Sequence, residues 1–461
     1  MNMLLERVLI VTVAYLAVVV VAVMVIWPSY VCGIQHGHGS SRSSSKHHTV
    51  VAFGSTSRNR LRRQNYDENQ IAATMLLAAA KSAQSGGVAG PTSGHVGETR
   101  PGAPSTSKPE GRKPASVCYE EFGCFDRQLI GALPEHPDLV QPQFRLFIKE
   151  LGSTSMLYSY NSSFEYDHTV TVSALTDRKR KLVFVIHGFG GNADLDWIQE
   201  ITIAETERYS ANVIVVDWEE GARYSTLYER AAANALLIGK ATARFCLRLT
   251  GNYHIPLESV EIIGFSLGGQ VAGFFAGEVF GATGRKVGKI TALDTAAPLF
   301  EPAGIYPRKE HTKFLEAVHT SAGNIIWRGK LGIEANYGHV DYYPNGGIDQ
   351  PGCTFPNIGC AHQRAVMYYA EALADRSECR YEGYRCSSVS DAHTGLCGPE
   401  KDRRLHLGMA AVGDEIETAI VYLKTNSSPP FCLTNDLLGR PQANEAVQQQ
   451  SNANNNSLPK N

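Results

Sequence analysis

Gly264-Phe265-Ser266-Leu267-Gly268, a serine with a glycine two places to either side, is the pattern in this chain best suited to covalent chemistry. A serine hydroxyl is a weak nucleophile until a base takes its proton, so the chemistry also needs a histidine and a carboxylate to orient that histidine. Two backbone N–H groups must point at the oxyanion of the tetrahedral intermediate. Candidates for each part are present. Asp294 ends the run Lys289-Ile290-Thr291-Ala292-Leu293, after the serine, and Asp217 ends Asn212-Val213-Ile214-Val215-Val216, before it. His311, His319, His339 and His362 all follow Asp294. His362 ranks first because nearby cysteines can pin the loop that holds its imidazole. Leu267, next to the serine, and Phe189, in His187-Gly188-Phe189-Gly190-Gly191, are the natural oxyanion donors.

These residues need elements to place them. Val260-Glu261-Ile262-Ile263 precedes the serine pentapeptide and Gly269-Gln270-Val271-Ala272-Gly273 follows it, which reads as strand, sharp turn, helix. Leu182-Val183-Phe184-Val185-Ile186 is a continuous β-branched and apolar run, the pattern of a strand buried on both faces, and it empties into the glycines around Phe189. Parallel strands alternating with helices predict an α/β-hydrolase fold, with a mostly parallel central sheet, helices on both faces and the site at the strands' C-terminal edge. In that fold the order along the chain is serine, acid, histidine, which favours Asp294 over Asp217.

The sequence resembles the animal pancreatic lipase family, in its insect-type, short-lid, phospholipase A1-like form, over most of residues 118 to 432. The residues that carry the likeness are Cys118-Tyr119-Glu120-Glu121-Phe122-Gly123-Cys124-Phe125, His187-Gly188-Phe189, Val216-Asp217-Trp218, Gly264-Phe265-Ser266-Leu267-Gly268-Gly269, Ile290-Thr291-Ala292-Leu293-Asp294, Asp341-Tyr342-Tyr343-Pro344-Asn345-Gly346-Gly347 and Cys360-Ala361-His362. The resemblance implies a triad of Ser266, Asp294 and His362, with Phe189 and Leu267 as the oxyanion hole. It implies a lid disulfide between Cys353 and Cys360, a pair Cys118 and Cys124, and by spacing a pair Cys386 and Cys397. The pairing of Cys246, Cys379 and Cys432 stays open, and Cys32 is lost if a leader is cleaved.

Departures from the family pattern shape the expected function. Cys353 and Cys360 enclose only Thr354 to Gly359, too short for a covering helix, so the site is expected to be open in water with little interfacial activation. Within the family so short a lid implies phospholipids, cleaved at the A1 position, or neutral glycerides as substrates. Only 29 residues follow Cys432, too few for a second core, so no colipase-type partner is expected. Tyr306-Pro307-Arg308-Lys309-Glu310 stands where some relatives bind calcium, so neither metal nor cofactor is expected. The rival reading is a non-catalytic lipid-binding or storage protein, like the family's yolk-protein relatives, which keep the scaffold and lose the triad.

The rest of the 461 residues divides by composition. Val8 to Trp27 is uncharged and almost wholly apolar, so residues 1–33 read as a signal peptide cleaved near Val31-Cys32-Gly33, or as a signal anchor of a type II membrane protein. Residues 34–117, rich in Ser, Gly, Pro, Arg and His, carry eleven basic against four acidic side chains and read as a disordered linker or propeptide. Within them, Arg60-Leu61-Arg62-Arg63 resembles a convertase site, and Ile71 to Ala80 has helix propensity. Residues 118–432 are the expected catalytic domain and 433–461 a polar tail. Ten cysteines indicate an oxidising, extracellular setting, where the sequons at Asn161, Asn426 and Asn455 are usable. A net charge of −2 gives no support to nucleic-acid binding, and a lipid–water interface is the expected partner.

Overall fold

The computed structural model describes residues 50–52, 114–162, 169–223, 227–323, 328–354, 357–374, 379–397, 405–408 and 418–434. The apolar segment 8–27, the Arg63 position, residues 71–80 and Asn455 lie outside them. Among the described residues no helix is long and apolar enough to cross a membrane.

The strands follow the apolar runs. β1 (Val50–Ala52) lies at one edge of the main sheet, and β2 (Ser116–Tyr119) and β3 (Gly123–Asp126) form a separate hairpin clamped by the Cys118–Cys124 disulfide. β4 (Gln143–Phe147) and β5 (Thr154–Ser159) are antiparallel, with β1 antiparallel to β5. The parallel centre comprises β6 (Leu182–Ile186), β7 (Asn212–Asp217), β8 (Val260–Phe265), β9 (Val287–Leu293), β10 (Thr312–Val318) and β11 (Val340–Pro344). β12 (Cys379–Arg380) pairs with β16 (Leu433–Thr434) outside the main sheet, while β13 (Glu382–Cys386), β14 (Leu405–His406) and β15 (Ala419–Leu423) complete its far edge. The twelve-stranded order is β1-β5-β4-β7-β6-β8-β9-β10-β11-β15-β13-β14.

Burial explains why the centre is parallel. Every residue of β6 and β7 is buried, as a sheet covered on both faces requires. Helices Tyr228–Tyr253 and Leu267–Thr283 cover one face, where Phe144 stacks on Phe245 at 4.0 Å. Helices Asp196–Ile203 and Cys360–Leu373 cover the other. Register then sets up the chemistry. Phe265 lies opposite Leu293 and Leu293 opposite Val318, so β8, β9 and β10 end side by side at the C-terminal edge.

β1 departs from the sequence reading, because Val50–Ala52 falls inside the stretch taken as a disordered linker. Its three residues are too few to show a period, but two are β-branched, and the open edge of β5 offers them a hydrogen-bonding ladder.

Helix Asp196–Ile203 runs on into a π-helical turn, Ala204–Arg208, that carries the buried Glu205. Burial, then the charge of Glu261, pushes this carboxyl up to about 7. A raised folded value means stability that is complete below the ordinary value of 4.5 and lost as the pH climbs through about 7. Glu205→Gln, neutral throughout, should therefore be more stable than the parent by on the order of 3 kcal/mol near about pH 8 and gain nothing near about pH 4. Urea unfolding at the two pH values measures the difference.

Candidate active site

Ser266 stands in the turn between β8 and helix Leu267–Thr283, with φ 56 and ψ −121. A positive φ is strained for any residue with a Cβ, so close contacts on both sides must hold it. Those contacts explain the flanking glycines. A Cβ on Gly264 would stand 2.2 Å from the Gly268 carbonyl oxygen, and one on Gly268 2.2 Å from that of Ile186. The Ser266 amide donates to Leu293 O at 3.0 Å, tying the turn to the end of β9.

Asp294 begins the turn after β9, and its amide donates to Val318 O at 2.7 Å. Its Oδ2 lies 2.6 Å from His362 Nδ1. Its Oδ1 accepts from the amides of Thr320 at 2.7 Å and Ser321 at 3.1 Å, and the Ser321 hydroxyl donates to Oδ2. Burial would raise this carboxyl, but the His362 imidazole, the Ser321 hydroxyl and the Thr320 amide outweigh it and hold it below the usual carboxylate range. Asp294 is thus an anion at neutral pH. Bound to Nδ1, it fixes the imidazole with Nε2 towards the remaining partner.

His362 sits in the first turn of helix Cys360–Leu373, whose first residue is bonded to Cys353. Its ring packs at 4.6 Å on that of Phe265, next to Ser266 in sequence. His362 Nε2 and Ser266 Oγ are both buried, and neither has a hydrogen-bond partner. Two orphaned polar atoms, one on the oriented imidazole and one on the strained elbow, are the pair a bound ester would engage, since such catalytic hydrogen bonds often tighten only in the substrate complex.

The other sequence candidates go elsewhere. Asp217 pairs with Arg145 at 2.6 Å, and His187 Nε2 is 3.5 Å away; burial opposes its ionisation, but His187 and Arg145 hold it down at about 2. His319 bridges Asp341 at 3.0 Å and the Ile333 carbonyl at 2.8 Å, and His339 Nδ1 accepts from the Leu315 amide at 2.9 Å. His311 packs against Phe280 at 5.4 Å. Of the four histidines weighed, His362 is the one bonded to Asp294.

Phe189 lies in the turn after β6, edge-on to Tyr228 at 5.5 Å, and the Gly190 amide donates to Ala222 O at 2.6 Å. Leu267 is the first residue of its helix, where an amide has no acceptor within the helix. A Cβ built on Gly188 would fall 2.7 Å from Ser266 Cβ and 3.3 Å from the Leu267 amide nitrogen, so the Phe189 loop lies directly against the nucleophile. Ser266 is 0 % and His362 2 % exposed.

Ser321 escaped the sequence reading. The available signal was register, since a residue just past the end of β10 must lie beside one just past the end of β9. Disulfides join Cys118 to Cys124, Cys353 to Cys360 and Cys386 to Cys397; Cys432 is disulfide-bonded too, and Cys246 is a buried free thiol. Asn161 is exposed, whereas Asn426 Nδ2 donates to the carbonyls of Pro430 and Cys432 at 2.9 and 3.1 Å.

Comparison with known proteins adds a family. The family model described as Lipase matches residues 130–431. Similar curated proteins include pancreatic lipase-related protein 2 of Cavia porcellus, 29% identical over 296 residues, which are 62% of this chain and 65% of that protein. Pancreatic triacylglycerol lipase of Myocastor coypus is 29% identical over 314 residues, with the same coverage of 62% and 65%. Pancreatic lipase-related protein 2 of Bos taurus is 31% identical over 318 residues, covering 61% and 64%. The chain spans just under two thirds of the length of these relatives.

Proposed function

The chain belongs to the lipase family, and from that premise we propose that it is a secreted serine hydrolase that cleaves fatty-acyl ester bonds of phospholipids, at the A1 position, or of neutral glycerides. The observation that carries this reading is the 2.6 Å bond from Asp294 to His362 Nδ1, with Nε2 and the Ser266 hydroxyl both buried and unpartnered.

In the reaction proposed, Ser266 Oγ attacks the ester carbonyl while His362 Nε2 takes its proton. Asp294 stabilises the imidazolium so formed. The amides of Phe189 and Leu267 bind the oxyanion, a contribution of about 3 kcal/mol for each donor in such sites. His362 returns the proton to the departing alcohol oxygen as the carbonyl re-forms. Water, deprotonated by the same imidazole, then releases the fatty acid and restores Ser266.

The phospholipid alternative is supported by the six residues between Cys353 and Cys360, a loop too short for a covering helix. Secretion fits the disulfides, which need an oxidising compartment. The enzyme is proposed to act at a lipid surface without colipase. Fatty-acid release from phosphatidylcholine and triolein, measured side by side with the full chain, tests the reading. Release from phosphatidylcholine at the higher rate is expected. A higher rate on triolein transfers the assignment to glycerides, and release from neither lipid removes the lipase reading.

A further inference from the structure

Gln350, in the loop after β11, is 3% exposed, and all four hydrogen-bonding positions of its side-chain amide are used inside the protein. Nε2 donates to the carbonyls of Thr320 at 3.0 Å and Pro344 at 2.8 Å, while Oε1 accepts from Asn345 Nδ2 at 2.9 Å and from the Tyr368 hydroxyl at 3.1 Å. The partners on the oxygen side close a ring. Thr425 Oγ1 accepts from Asn345 Nδ2 at 2.8 Å and donates to the Tyr368 hydroxyl at 2.9 Å, so every donor in the circuit of Asn345, Gln350, Tyr368 and Thr425 has an acceptor. A fully satisfied buried network of this kind is rigid, and its bonds strengthen one another.

Two of the Gln350 bonds reach the supports of the acid and the base. The Thr320 carbonyl belongs to the same peptide unit as the Ser321 amide, which donates to Asp294 Oδ1 at 3.1 Å. In a trans peptide the C=O and N–H point in opposite directions, so a donor held on the carbonyl side aims the N–H at the carboxylate. The Thr320 amide, one peptide earlier, donates to the same Oδ1 at 2.7 Å. On the other side of Gln350, Tyr368 stands on helix Cys360–Leu373, six residues after His362. One side chain therefore ties the loop that clamps Asp294 to the helix that carries His362, and none of its four bonds goes to either of those two residues.

We propose that Gln350 is a positioning residue for the triad, holding the Thr320–Ser321 peptide against Asp294 and the helix of His362 at the distance from which the 2.6 Å bond between acid and base can form. The inference rests on the ester-hydrolase reading and adds to it a residue that sets kcat without touching substrate. A displacement of about 1 Å among reacting groups is enough to cost on the order of a hundredfold in rate, so the loss of one amide that ties two supports together reaches the chemistry.

The test uses the full chain carrying Gln350→Met, similar in shape but without the four bonds, and has two readouts. One is p-nitrophenyl butyrate hydrolysis per competent site, with sites counted by a p-nitrophenyl phosphonate that loads Ser266, so that loss of folded protein does not count as loss of kcat. The other is the proton NMR resonance of His362 Nδ1–H, assigned by its absence from His362→Ala, which reports the bond to Asp294 directly. Gln350→Met should lower kcat by on the order of tenfold to a hundredfold with KM within about twofold of the parent, and should shift or broaden the Nδ1–H resonance. Asn212→Leu is the control. Asn212 is an equally buried amide, 2% exposed, but it ties the start of β7 to the Ala174 carbonyl at 2.9 Å, away from the strands' C-terminal edge, so its loss should lower stability and move neither readout. An unchanged kcat or an unchanged resonance in Gln350→Met, a rise in KM in place of the fall in kcat, or the same changes in Asn212→Leu overturns the proposal. If Gln350→Met does not fold, Tyr368→Phe, which removes one O–H from the ring, decides: a smaller fall in kcat at unchanged KM supports the role, and parent kcat refutes it. If the parent cleaves no ester, the hydrolase reading fails, yet the resonance still decides whether Gln350 positions His362 on Asp294: a shift in Gln350→Met supports it, and an unmoved line refutes it.

Discussion

Ser266→Ala should lower kcat for ester hydrolysis by on the order of 10⁶ while leaving KM nearly unchanged. The size follows from what the hydroxyl does, since without it no acyl-enzyme can form and His362 has no proton to take. Rate above the uncatalysed reaction should persist at a low level, because the Phe189 and Leu267 amides proposed for the oxyanion remain. Structure is not at risk. Ser266 Oγ makes no hydrogen bond in the folded protein, so its loss leaves no buried partner unsatisfied, and alanine tolerates the positive φ no worse than serine. Steady-state hydrolysis of p-nitrophenyl butyrate, with circular dichroism to verify folding, measures the effect. Retention of more than about one per cent of kcat would mean that another group is the nucleophile.

Asp294→Asn should cost on the order of 10⁴ in kcat, again with little change in KM. Asparagine can present an N–H to His362 Nδ1, which then favours the tautomer whose proton is on Nε2, so the base no longer accepts from Ser266. The loss should also carry a stability effect with a definite sign. The Asp294 carboxyl lies below its ordinary value of 3.8, so its contribution is complete above that value and disappears as the pH falls through the folded one. Asp294→Asn should therefore be less stable than the parent at neutral pH, with the gap closing in acid. Parallel kinetics and unfolding of Asp217→Asn separate the two acids. Asp217 faces Arg145 and His187, so its replacement should lower stability, while a kcat collapse there would reverse the assignment of the acid.

Residue type and order made part of this site legible before any coordinates. Gly264 and Gly268 mark a turn where a Cβ cannot fit, and the continuous runs Leu182–Ile186 and Asn212–Val216 mark strands covered on both faces. Those are local statements, each settled by one peptide's sterics or one segment's hydrophobicity. Ser321 was not legible, because its contact with Asp294 spans 27 residues and depends on β9 and β10 being neighbours in register. Neither was β1, whose three residues acquire meaning only from the edge of β5.

The amino-acid sequence by itself determined the serine elbow, the alternation of apolar runs that builds a parallel sheet, and the cysteines that call for an oxidising compartment, since each follows from the short-range chemistry of adjacent residues. How deeply Ser266 is buried, and that a cleft opens beside Phe265, were decided by the tertiary structure alone. Those outcomes depend on which strand ends lie side by side and on how two helices far apart in the chain pack across one sheet face, distances that no local pattern encodes.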